Sequence, residues 1–118
     1  MKCICVKFSM RTKSELNQRE HWVKKYRRTK LQKDTTKAVL MTFTQNTDFG
    51  TGKITVTFVR IAKRKIDKGD NLASAFKAVR DAVAMLIGVD DGSDRYEWIY
   101  EQRIERNRLD MVEIKIEW

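Results

Sequence analysis

Two short stretches of this chain hold acids where chemistry is possible. "IDKGDN" places Asp67 and Asp70 ahead of a helix, and "VDDGSD" places Asp90, Asp91 and Asp94 after it, with Lys77 and Asp81 between the two. Carboxylates that share a site repel one another, so gathering them is costly unless a cation lies between. Oxygen-rich sites of this kind suit Mg²⁺, with Mn²⁺ as a substitute, and such ions activate water and stabilise a leaving oxygen in phosphodiester cleavage. A lysine beside them would offset the charge that develops on phosphorus. Each residue also has an ordinary use. Asp70 fits a helix N-cap, Lys77 and Asp81 an i,i+4 surface pair, and Asp90 and Asp91 before Gly92 a turn.

The rest of the composition says what such acids would act on. The 118 residues carry a formal net charge of +9, with 25 Lys and Arg against 16 Asp and Glu. That excess favours a polyanion held through phosphate contacts and counterion release, which makes nucleic acid the leading partner. No apolar stretch approaches the roughly 20 residues that span a bilayer, so no membrane partner is expected. The opening "MKCICVKFSM" has lysines inside it and no small-residue cleavage site, which points to an intracellular, cytoplasmic protein. Cys3 and Cys5 would face one side of a strand and pack as small hydrophobes; with His21 as the sole histidine, a Cys/His metal site lacks ligands.

The elements that must position the acids follow from periodicity. The length fits a single domain spanning 1–118. Residues 2–9 alternate as a strand, and a long helix is predicted from Ser14 to about Thr42. Arg19, Lys24, Lys25, Arg27 and Arg28 crowd the first half of that helix as candidate phosphate contacts, and Trp22 and Tyr26, one turn apart, are expected to anchor it to the core. "TDFGTG" reads as a turn and "KITVTFVRIAK" as a strand. Arg60, Lys63, Arg64 and Lys65, just before the first acids, are further candidates to hold a DNA backbone. One helix is predicted from Asn71 to about Ile87, with Leu72, Phe76, Val79, Val83 and Leu86 on a single stripe and Gly88 as its stop. "RYEWIYEQRIE" and "DMVEIKIEW" then read as two strands joined hairpin-fashion by "RNRL", with Trp118 completing the core or a subunit contact. The expected fold is α/β (α+β), a mixed sheet of about four strands packed with two main helices, in the order β-α-β-α-β-β.

Three fragments together are more specific. "DNL" at 70–72, "KAVRDAV" at 77–83 and "GVDD" at 88–91 resemble the core signature of the RusA-type Holliday junction resolvases of phages and prophages. The resemblance covers about a quarter of the chain and implies a small, basic, homodimeric, Mg²⁺-dependent endonuclease. Such an enzyme cuts four-way DNA junctions with paired nicks in recombination and repair. It assigns Asp70 and Asp91 as metal-binding catalytic aspartates, Lys77 as the catalytic lysine, and Asp81, with Asp90 and Asp94, as a supporting layer. The family's type member has a further aspartate two positions before the one matched by Asp70. Lys68 stands there in this chain, so Asp67 is assigned that part. A branched-DNA-binding protein of the same fold that does not cut is the alternative.

Overall fold

The computed structural model describes residues 2–13, 22–66, 70–106 and 109–118. The predicted helix start at Ser14, together with Arg19 and Asp67, lies outside them, as does the side chain of Asp70. Among the described residues seven elements follow one another: β1 (Cys3–Ser9), α1 (Trp22–Thr44), β2 (Ile54–Ala62), α2 (Asp70–Ala75), α3 (Lys77–Ile87), β3 (Tyr96–Ile104) and β4 (Met111–Glu117). The four strands form one mixed sheet in the order β1-β4-β2-β3, as the predicted fold class requires.

The register puts alternate residues on one face. Ile4, Val6 and Phe8 stand opposite Ile116, Ile114 and Val112, and the same three β4 residues stand opposite Val56, Phe58 and Arg60. Parallel pairing of β2 with β3 sets Val56 beside Trp98 and Phe58 beside Tyr100. Leu40 of α1 and Leu72, Phe76, Val79 and Val83 of the α2–α3 segment join this apolar layer to form one core. Cys3 and Cys5 fall on the opposite face and are exposed, which corrects their predicted packing. The period of two lets only one parity of β1 face the helices, and the larger Ile4, Val6 and Phe8 take that side.

Two further expectations are corrected. The strands predicted to form a terminal hairpin are not neighbours, because β4 lies between β1 and β2 while β3 pairs only with β2. β4 alternates Val112, Ile114 and Ile116, all fully buried, as a central strand should; β3 places Glu97, Glu101 and Arg103 on its outward side, as an edge should. The predicted single helix is two, broken at Phe76, whose backbone (φ −103°, ψ 6°) departs from α geometry. Its N–H bonds the Ala73 carbonyl three residues back at 3.1 Å, and its ring stacks on Phe58 at 5.2 Å. The predicted apolar stripe survives the break.

Trp118 completes the core's far edge, packing on Phe49 at 4.7 Å and donating its indole N–H to the Asp48 carbonyl. The buried stripe of α1 is mostly polar, running Gln32, Thr36, Leu40, Thr44. The two threonine hydroxyls bond carbonyls one turn back, and the Gln32 amide donates to the Arg11 carbonyl, so little polar capacity is left unmet. This accounts for the lack of an amphipathic pattern in the sequence of α1.

Candidate active site

The turn carrying Asp90 and Asp91 is built by its neighbours. Gly88 ends α3 in the left-handed conformation (φ 85°), which an L side chain adopts at a cost, and donates its N–H to the Ala84 carbonyl. Asp90 then accepts the Gly92 N–H at 2.9 Å, closing a side-chain turn. Three side chains hold the carbonyls of this loop from beneath. The Tyr96 hydroxyl donates to the Val89 carbonyl at 2.8 Å, and the Trp98 indole N–H and an Arg80 guanidinium N–H both donate to the Asp91 carbonyl. Arg80 also donates to the Tyr100 hydroxyl and lies 4.9 Å over the Trp98 ring.

The loop's carboxyls interact with one another. A hydrogen bond with Asp90, then burial and the charge of Asp81, raise the Asp91 pKa above the ordinary carboxylate value, with Arg80 opposing. Asp90 is held lower, first by the Gly92 N–H and then by Asp91. Arg80 Nε is 3.9 Å from Asp91 Oδ2, an ion pair too long for a hydrogen bond.

Tyr96 gives this support a pH signature. Burial pushes its phenol up to about 12. Because the folded state favours the neutral phenol, the stabilisation is whole below the ordinary tyrosine value of about 10 and is lost as the pH climbs toward 12. Tyr96→Phe is expected to cost about 1 kcal/mol at neutral pH through the lost bond to Val89. It should also flatten the alkaline fall in Tm, which calorimetry from neutral pH up to pH 12 reads directly.

Two concavities meet at Asp81. One, of about 410 Å³, is lined by Asp81, Asp90 and Asp91 with Ala84, Met85, Gly88 and Val89. The other, of about 270 Å³, lies between α1 and the α2–α3 pair and is lined by Lys25, Lys33 and Lys77 with Thr29, Gln32, Ser74, Ala78 and Asp81. Asp81 is therefore a wall common to an acidic hollow and a lysine-lined cleft. It pairs with Lys33 at 3.8 Å across the α1–α3 contact.

The other sequence candidates divide. Lys77 is exposed at the start of α3, one turn before Asp81. Asp70 opens α2, whereas Asp91 follows α3, so the two aspartates stand toward opposite ends of the helix pair. Asp94 is exposed in the turn before β3. Lys24, Lys25, Arg27, Lys63, Arg64 and Lys65 are exposed, and Arg28 lines a third hollow with Arg11 and Lys13. Arg60 is corrected: only 8% exposed on the core face of β2, it donates to the carbonyls of Thr12 and Arg64, and burial lowers its pKa. It ties the β2 exit to the segment after β1 and offers a phosphate no open face. Trp22 and Tyr26 are corrected too, being 72% and 58% exposed instead of core anchors. Arg80, the main organiser of the Asp91 turn, was not among the sequence candidates.

Among the described residues, no three His, Cys, Asp or Glu side chains are grouped as metal ligands. The carboxylates that line the acidic hollow, Asp81, Asp90 and Asp91, offer oxygen donors. Carboxylates that line one hollow are oxygen donors of the kind a hard divalent cation takes, so this part of the chain fits Mg²⁺ chemically while supplying a partial shell. No helix among the described residues is long and apolar enough to cross a membrane. No protein-family model matches the chain, and no curated protein matches it.

Proposed function

We propose that the chain is a Mg²⁺-dependent endodeoxyribonuclease of RusA type that cuts branched DNA, with the four-way junction as its substrate and a homodimer as its acting unit. The observation that carries this reading is the meeting of an acidic hollow and a lysine-lined cleft at one shared wall, Asp81. A backbone held by cations beside a carboxylate cluster is the arrangement that phosphodiester hydrolysis asks for. The "DNL", "KAVRDAV" and "GVDD" fragments support the same reading.

Asp91 and Asp90 would hold Mg²⁺, or Mn²⁺ in its place; Asp70, which the resemblance also assigns to the metal, stands toward the other end of the helix pair and would not share that ion. When bound, the ion supplies an activated water and polarises the scissile phosphate. The chain's own residues do the rest. Arg80, Trp98 and Tyr96 fix the carbonyls of the 89–91 turn, and so the direction in which the carboxyls point. Lys77 faces the charge that grows on the phosphate oxygens, and Lys25 and Lys33 hold the flanking backbone. A two-fold pair of chains matches the approximate two-fold symmetry of a junction that receives two related nicks.

A junction-binding protein that does not cut is the second reading, kept open by Lys68, which stands where the family's type member has an aspartate. Purified protein incubated with a labelled four-way junction and a linear duplex, in Mg²⁺ or EDTA, separates the two. Paired nicks in the junction alone, abolished by EDTA, support the nuclease. Tight junction binding without cleavage in Mg²⁺ or Mn²⁺ selects the binding protein.

A further inference from the structure

The first two turns of α1 carry two large rings that the core does not use. Trp22 is 72% and Tyr26 58% exposed, whereas the buried stripe of the helix begins only at Gln32. At about 100° per residue, Trp22, Lys25, Tyr26, Thr29 and Lys33 fall on one side of the helix. Lys25, Thr29 and Lys33 line the cleft against Ser74, Lys77 and Ala78. Trp22 and Tyr26 each stand one turn before a cleft residue, Lys25 and Thr29 respectively, on the side of the helix that bears the cleft. The Thr29 hydroxyl bonds the carbonyls of Lys25 and Tyr26, which leaves the ammonium groups as the dominant polar surface. Within the cleft the one acid, Asp81, is offset by Lys33 at 3.8 Å.

Rings and cations on one side of a helix, the cations lining a cleft, match a particular ligand. An unpaired base offers a π face to an aromatic side chain while its phosphate meets a lysine, whereas a duplex hides its base faces in the stack and offers phosphates alone. An excess of cations on the chain, +9 overall, complements a polyanion of either kind; the two exposed rings select the unpaired one. We infer that the cleft between α1 and the α2–α3 pair binds single-stranded nucleic acid, with Trp22 and Tyr26 stacking on unpaired bases and Lys25, Lys33 and Lys77 on the phosphates. The inference deepens the proposed function and rests on it: where strands open at a branch point, the exposed nucleotides would enter the cleft one wall away from Asp90 and Asp91.

The test measures affinity in EDTA, by fluorescence anisotropy, for a thymidine oligonucleotide and for a duplex of equal phosphate count. Trp22→Ala/Tyr26→Ala is expected to lose about 10- to 100-fold on the single strand and to stay within about twofold on the duplex. Trp22→Phe/Tyr26→Phe, which keeps both rings, should recover most of the loss. Lys25→Gln/Lys33→Gln should weaken both ligands and lower the salt slope by about one per lysine. Equal losses on the two ligands, or none, would overturn the inference, as would an aromatic variant whose only change is its sedimentation, which would make the rings a contact between copies. Junction cleavage that persists without any ring effect sinks the inference alone. A wild-type protein that binds no nucleic acid at low salt sinks the proposed function with it.

Discussion

Asp91→Asn is expected to reduce Mg²⁺-dependent junction cleavage by about 10²-fold or more while leaving junction affinity unchanged or slightly tighter. The substitution isolates charge from shape. The Arg80 and Trp98 bonds run to the Asp91 backbone carbonyl, so the turn keeps its supports. An asparagine amide can still donate to the Asp90 carboxylate. What the amide cannot do is ionise, and a pair with one carboxylate fewer is a poorer seat for a hard cation. Binding survives because the groups assigned to phosphate are lysines of the neighbouring cleft, and one carboxylate fewer lessens repulsion of the backbone. Asp34→Asn removes the same unit of charge from an exposed pair with Lys30 and serves as the control for net charge. Cleavage kinetics and anisotropy on one junction give both numbers. An Asp91→Asn protein that cuts at the wild-type rate would move the chemistry away from the 89–91 turn.

How much of this could be read from the sequence depends on how local each cause is. β1, β2 and the α2–α3 stripe were legible because alternation and the 3.6-residue period are written within a few residues. The hairpin was misread because strand pairing is a long-range choice, and β4 pairs with β1 about a hundred residues earlier in the chain, as with Lys7 opposite Glu113. The clue was present in the alternation of Val112, Ile114 and Ile116 and in the charges at Glu97, Glu101 and Arg103. Trp22 and Tyr26 were misassigned because a ring at helical spacing signals packing only where there is a core to pack on, and the buried stripe of α1 starts downstream at Gln32. The doublet Asp90 and Asp91 announced itself. Arg80 did not, because its partners are a backbone carbonyl and the side chains of Trp98 and Tyr100, which only the parallel β2–β3 pairing brings beneath α3.

Phe58→Ala is expected to destabilise the fold by about 3–5 kcal/mol, a large share of the roughly 5–15 kcal/mol that holds a domain together. Phe58 is fully buried on β2, between the neighbouring strands β4 and β3, with Phe76, Trp98 and Tyr100 at ring separations of 5.2, 5.8 and 5.7 Å. Truncation leaves a void that β2, paired on both sides, cannot easily collapse into. The void also borders Tyr100 and Trp98, which meet Arg80 and the Asp91 carbonyl, so loosening should spread from core to site. Urea denaturation should show a lower midpoint at an unchanged slope, and cleavage per folded molecule, measured well below that midpoint, should fall as well. Phe58→Leu, which keeps most of the volume, should cost about 1.5 kcal/mol or less and preserve most of the rate. Trp22→Ala makes the opposite comparison, since removing a larger but exposed ring should change stability by only about 0.5 kcal/mol. If Phe58→Ala lowered stability but left the rate per folded molecule intact, the 89–91 turn would be held by its hydrogen bonds alone, and the aromatic stack would serve the fold without serving the site.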